Sequence, residues 1–286
     1  MNYEQYRPRR FNLLPEVVKN LLIINGIMFL ALVVMQQQGV DLNDLLGLHY
    51  FEAEKFNAYQ FITYMFMHGS FMHILFNMFA VWMFGAAIEN VWGGRRFLTY
   101  YIITGLGAAL AHYGIVYFEI QPAIAQFDSY IANPGLEELH TLLSSDAFRS
   151  FSSAEMIDHY NAFRREFNLL VNQDLNAAIN LSVDYVKQLK VDALNAPVVV
   201  GASGAVFGLL LAYGMLYPNS VIYLYFAIPI KAKYFVILYG ALELFSGIAN
   251  VPGDNVAHFA HLGGLVTGFI LIMYWKQKHS NRTDYY

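Results

Sequence analysis

Six stretches of the chain are apolar with almost no charge: Val17 to Met35, Phe71 to Ile88, Phe97 to Phe118, Val198 to Tyr217, Tyr234 to Ile248 and Val256 to Trp275. A helix needs roughly 20 such residues to cross a hydrocarbon core, and all but the fifth stretch come close to that length. The pattern predicts an all-α polytopic membrane protein whose six transmembrane helices fill residues 17–275, between tails 1–16 and 276–286. Gly93 and Gly94 turn the chain tightly between the second and third spans, and Pro218 ends the fourth. Phe56 to Met67 is apolar and aromatic but too short to cross, which places it at the interface or dipping into the protein.

Residues 119–196 break the membrane pattern. Pro134 and Gly135 interrupt them, and a capping box from Ser152 to Glu155 opens a polar run in which Ile157, Tyr160, Phe163, Phe167, Leu170 and Leu175 recur every three or four positions. Amphipathic helices lying on the outer surface, a structural cap over the spans, are expected here. No internal repeat marks a transporter of two inverted halves.

Composition agrees with the pattern: 57% of residues are apolar and 13% charged, against about 25% charged in soluble proteins. If the spans alternate, Arg7, Arg9, Arg10, Arg95, Arg96, Lys231, Lys233, Lys276, Lys278 and Arg282 fall on one side, which the positive-inside rule makes cytoplasmic. Both termini then lie inside, and Asp41, Asp44, Glu52, Glu54, Asp174, Asp184, Asp192 and Asp254 face outward. The net charge of -4 is a difference between two faces and points to no nucleic-acid partner. The basic N-terminus leads into a full-length apolar stretch without a small-residue cleavage site, so a retained first helix is expected rather than a signal peptide. With no cysteine in the chain, thiol nucleophiles, thiolate metal sites and disulfides are excluded.

Polar chemistry enters the spans at a few points. The fourth span opens as GASGAVFG, with Ser203 beside Gly204 and Gly208 on a small-residue face suited to helix contact. The last span reads AHFAHLGGLVTG, where His261, Gly264 and Gly268 share one face, so that the two glycine pairs can bring Ser203 and His261 together. His258 lies one turn earlier as a competing base or a liner of the water entrance, and the glycines that follow favour His261. The second span opens with His68 and carries His73 and Asn77 on one face, candidates to stabilise a tetrahedral oxyanion with the Ser203 backbone N–H. No carboxylate has an evident claim to orient His261, because Asp254 falls at the outer mouth and Glu243 toward the middle of its span; a Ser-His dyad is therefore expected. No HExxH or comparable carboxylate set stands in the spans, and no metal or other cofactor is expected.

The HGSFMHILFN run from His68 to Asn77, Glu89 and Gly93, the GASG run and the His261 to Gly268 pattern resemble, in content and order, those of the rhomboid family of intramembrane serine proteases. The resemblance implies a six-span bundle with Ser203 as nucleophile, His261 as general base, His73 and Asn77 flanking the oxyanion site, and Gly201 shaping the backbone at the nucleophile. It also implies a cavity opening to outer-side water, and substrates that are single-span or other membrane proteins cut near the outer boundary. Two positions depart from the family: Tyr59-Gln60 stands where a Trp-Arg pair is common, and Phe207 where a tyrosine is usual; Phe207 can still stack on His261. The insertion at 119–196 is the third departure. A non-catalytic relative that binds or escorts membrane proteins is the alternative, and loss of the serine or histidine usually marks such relatives. The simple layout leans toward a bacterial inner membrane; oligomeric state stays open.

Overall fold

The computed structural model describes residues 11–145, 148, 154–224, 227–249 and 257–280. Ser152 of the expected capping box, Asp254 and the terminal Arg7, Arg9, Arg10 and Arg282 lie outside the described residues. In chain order the main elements are α1 (Glu16–Gln36), α2 (Leu42–Leu46), β1 (Leu48–His49), α3 (Gln60–Thr63), α4 (Phe71–Trp92), α5 (Gly94–Ala132), α6 (Leu136–Ser144), α7 (Ala154–Leu170), α8 (Leu175–Asn195), β2 (Val198–Val199), α9 (Ser203–Leu216), β3 (Val221–Leu224), β4 (Ile228–Lys231), α10 (Ala232–Ala249) and α11 (His258–Ser280). Helices dominate, and α1, α4, α5, α10 and α11 are each long and apolar enough to cross a membrane.

Three features differ from the sequence expectation. The fourth span begins at Ser203 rather than Val198, leaving a helix of 14 residues. At 1.5 Å per residue that is about 21 Å, short of the roughly 30 Å of a hydrocarbon core. The third span does not stop at Phe118 but runs on as one helix of 39 residues through Pro122. Two small antiparallel pairs also occur: β1 with β2, in the register Leu48↔Val199, and β3 with β4, where Val221 faces Lys231.

The chain forms two compact units. The first comprises Met1–Leu46, Phe61–His112 and Val200–Tyr286. Within it, Glu89 on α4 accepts the backbone N–H groups of Val17 (3.0 Å) and Val18 (2.9 Å). A carboxylate here satisfies two of the unpaired donors at the start of α1 and meets the positive end of its dipole. Gly93 closes α4 with φ 77, a left-handed turn open to glycine, and lets α5 start at once. The middle of α4 widens into a π-helical turn at Val81–Gly85.

Gly47–Gln60 and Tyr113–Val199 form the second unit. Its core gathers Ile120, Phe127, Leu139, Leu142, Met156, Phe163, Val186 and Leu189. Phe163 stacks on Tyr185 at 4.2 Å and 6°, with Tyr160 and Phe167 packed against the same core. Ile157 and Leu175, expected on the apolar stripe, are about half exposed. Lys190 pairs with Asp128 at 2.6 Å. Gln60, at the position of the family's usual arginine, is fully buried; its Oε1 accepts from the backbone of His49 and Asn57, and its Nε2 donates to the Lys55 carbonyl. An amide with both donor and acceptor thus ties this loop to itself.

Candidate active site

Ser203 is the first residue of α9, and the chain approaches it through Gly201 at φ 121, a conformation that disfavours any side chain. The Gly201 N–H is fixed to the Tyr64 carbonyl at 2.9 Å, and the Tyr64 hydroxyl donates to the Gly105 carbonyl at 2.7 Å. A Cβ on Gly201 would stand 2.7 Å from His73 Nε2 and 3.8 Å from Asn77 Nδ2. Absence of a side chain therefore lets both groups approach the backbone that leads into Ser203. Ser70 caps α4 by accepting the His73 N–H, which fixes the first turn from which His73 and Asn77 project.

His261 lies one turn into α11, and its Nε2 is 2.8 Å from Ser203 Oγ. Glycines set this distance. A Cβ on Gly264 would overlap the Gly204 carbonyl, so α9 and α11 touch backbone to backbone just past Ser203 and His261. The second glycine pair works differently from the expected face-to-face contact. Gly208 and Gly268 receive Thr104 and Tyr100 of α5, and the Tyr100 hydroxyl donates to the Gly208 carbonyl at 2.8 Å. Phe207 lies flat on the His261 ring at 4.2 Å and 11°, and Tyr239 of α10 stacks on the other side of Phe207.

Asn77 is buried, and its Nδ2 is a donor with no hydrogen-bond partner among the described residues. A buried donor left unmet is costly, and an incoming acceptor that meets it recovers that cost. His68 packs edge-on to His73 at 5.0 Å. Burial, with the neighbouring ring of His73 adding to it, holds the His68 pKa down at about 4, so His68 is neutral at ordinary pH.

One expectation is overturned. A carboxylate does reach His261: Glu243 Oε2 lies 2.8 Å from His261 Nδ1 and 2.6 Å from His258 Nδ1. Counted from the C-terminal end of α10, Glu243 stands less than two turns down, a depth its side chain spans to reach the first turn of α11. His258 is thus directed at Glu243 through Nδ1, with its ring perpendicular to that of His261 at 6.4 Å. The donor atoms of Glu243, His258 and His261 all lie within 4.8 Å of one another, a spacing that a divalent ion also accepts.

The rhomboid domain family model matches residues 55–119 and 176–278, well over half of the chain. The chain belongs to the rhomboid family. Both matched segments fall on the helices that carry the site, and residues 120–175 between them lie outside the match. The rhomboid domain and its spanning helices make this a multi-pass membrane protein. A comparison with curated proteins found no match.

Sequence reasoning missed Tyr64 and Tyr239 as well as Glu243. Neither tyrosine stands in a motif: one acts through its backbone carbonyl and the other as a second stacked ring.

Proposed function

We propose that this rhomboid protein is an intramembrane serine endopeptidase that cuts membrane-protein substrates in or next to a transmembrane helix. The observation that carries the reading is the 2.8 Å contact between Ser203 Oγ and His261 Nε2 in an apolar setting, beside the unmet donor of Asn77. Ser203 Oγ attacks the scissile carbonyl carbon while its proton passes to His261 Nε2, and the carbonyl π pair moves onto oxygen. That oxyanion forms beside Gly201, where His73 and the Asn77 Nδ2–H stand close, with the Ser203 N–H as a further donor. Collapse breaks the C–N bond, and His261 returns the proton to the departing amine. Water then attacks the acyl-enzyme with His261 again as base, which frees the acid and restores the serine.

The short α9 supports a site below the outer boundary. A helix several ångström shorter than the hydrocarbon core leaves room for water above Ser203 while the reacting groups stay within the apolar layer. A substrate helix must release its own hydrogen bonds before its carbonyl reaches Ser203, so single-span proteins with helix-weakening residues near the outer boundary are the preferred substrates. In this reading the site opens outward, both termini are cytoplasmic, the membrane is a bacterial inner membrane, and no cofactor takes part.

The test is cleavage of a single-span substrate by the purified protein in detergent or lipid. Wild type cleaves, and Ser203→Ala and His261→Ala do not, while both variants keep the wild-type melting temperature. Undiminished cleavage by Ser203→Ala would reject the mechanism. Substrate capture without cleavage by wild type would favour the escort reading instead.

A further inference from the structure

Glu243 takes no part in the chemistry just described, yet a carboxylate within an apolar span is costly unless something compensates it. We propose that Glu243 is a positioning residue that holds His261 in the one tautomer able to accept the Ser203 proton, and that His258 holds Glu243 in place; this rests on the protease reading of Ser203 and His261.

The geometry is a chain of two hydrogen bonds. Glu243 Oε2 stands 2.8 Å from His261 Nδ1, and His261 Nε2 stands 2.8 Å from Ser203 Oγ. An ionised carboxylate only accepts hydrogen bonds, so Nδ1 of His261 must carry its hydrogen and Nε2 must present its lone pair to the serine. In the opposite tautomer Nε2 is occupied by hydrogen and no base faces Ser203. When His261 takes the proton, the imidazolium forms beside a negative charge already in place, with little reorganisation in an apolar surround. Phe207 fixes the plane of the ring, and Glu243 fixes its rotation within that plane.

His258 meets the same oxygen at 2.6 Å from the same helix as His261. Its Nδ1–H supplies a second donor, which restrains a flexible side chain and offsets part of the cost of burying its charge. His258 thereby acts through Glu243.

The test compares full-length wild type with E243Q, Glu243→Asp, His258→Asn and His258→Leu. Cleavage of the single-span substrate and the rate of Ser203 labelling by a fluorophosphonate are measured together. Glutamine keeps the volume and hydrogen-bonding capacity of Glu243 but can donate to Nδ1 and so admits the wrong tautomer. The expected result for E243Q is a kcat lower by about 100-fold or more, toward the roughly 10⁴-fold loss that tautomer reversal causes in a serine protease triad. KM and melting temperature stay near wild type, labelling slows in step with kcat, and Glu243→Asp recovers part of the rate. His258→Asn, which keeps an N–H near the position of Nδ1, is expected within about threefold of wild type, and His258→Leu about tenfold slower.

An E243Q protein that cleaves and labels within threefold of wild type overturns this proposal alone. A wild-type protein that neither cleaves nor labels at Ser203 overturns the protease reading and this one with it. One equivalent of divalent metal bound by wild type and lost in E243Q would make the three side chains a metal site and remove the positioning role.

Discussion

Gly264→Ala probes whether the site depends on backbone contact between α9 and α11. The added methyl would overlap the Gly204 carbonyl, and backbone, unlike the end of a flexible side chain, has little freedom to yield. The two helices must separate by on the order of 1 Å, an overpacking that costs about 1–3 kcal/mol of stability. Gly204 follows Ser203 directly and Gly264 is one turn from His261, so the separation falls on the 2.8 Å Ser203–His261 hydrogen bond. A misplacement of about 1 Å at a reacting pair can cost about 100-fold in rate. The assay is cleavage of a single-span substrate alongside fluorophosphonate labelling of Ser203 and thermal unfolding in the same detergent. Gly26→Ala serves as the control, because nothing stands within 4 Å of a Cβ at that site on α1. The expected outcome is a kcat lower by about 30–100-fold for Gly264→Ala at temperatures where it remains folded, with Gly26→Ala indistinguishable from wild type. A Gly264→Ala protein with the wild-type rate and melting temperature would show that the close approach is not what sets the dyad, and the glycine argument would fail.

Other perturbations read other parts of the structure. Gly201→Ala imposes a side chain at φ 121 and crowds His73, so cleavage and fluorophosphonate labelling, which both develop an oxyanion there, should each fall by at least about tenfold. Glu89→Ala leaves the Val17 and Val18 N–H groups unmet and should lower stability by about 2 kcal/mol, seen as a drop in melting temperature with kcat preserved in the folded fraction. His68 has a folded-state pKa of about 4 against an ordinary 6.5, so the unfolded chain binds the extra proton between these values and stability falls as pH drops from about 6.5 to 4. His68→Asn should flatten that limb of the melting temperature against pH; an unchanged limb would show that another group sets it. Phe207→Leu removes the ring stacked on His261 and should slow cleavage by less than about tenfold, given the roughly 0.5–1.5 kcal/mol of such a stack.

How legible each element was depends on the kind of information it carries. The spans showed clearly because uncharged length is a property of the chain itself, and the Phe71 and Ala232 helices begin within two residues of the expected starts. The fourth span was misplaced because Val198 to Ala202 is as apolar as the helix after it, yet Gly201 at φ 121 cannot lie in a helix; only the glycine hinted at the break. The third span was cut short at Glu119 because a charge there reads as a boundary. A helix already formed can continue past it, and the next apolar positions, Ile120, Ile124 and Phe127, keep helical spacing into the core of the second unit.

Within the candidate site, that Ser203, His261, His73 and Asn77 lie close together was legible because small residues and polar groups in an apolar span leave few alternatives. Glu243 was hidden for a different reason. Counting along α10 from its start places Glu243 near the middle of the span, far from a histidine in the first turn of α11. Two antiparallel helices consecutive in the chain must instead be compared from the ends that the chain connects. From there Glu243 is six residues below Ala249 and His261 three residues past His258, a difference of about 4.5 Å at 1.5 Å per residue, which a glutamate side chain bridges. Burial gives the same answer independently. A carboxylate in hydrocarbon requires donors, and the nearest N–H groups that a polar-poor region offers are the two imidazoles on α11. In a polytopic membrane protein, an acidic residue inside a span is therefore best assigned by asking which donors share its depth from the connecting loop. Here that question leads from Glu243 to His258 and His261.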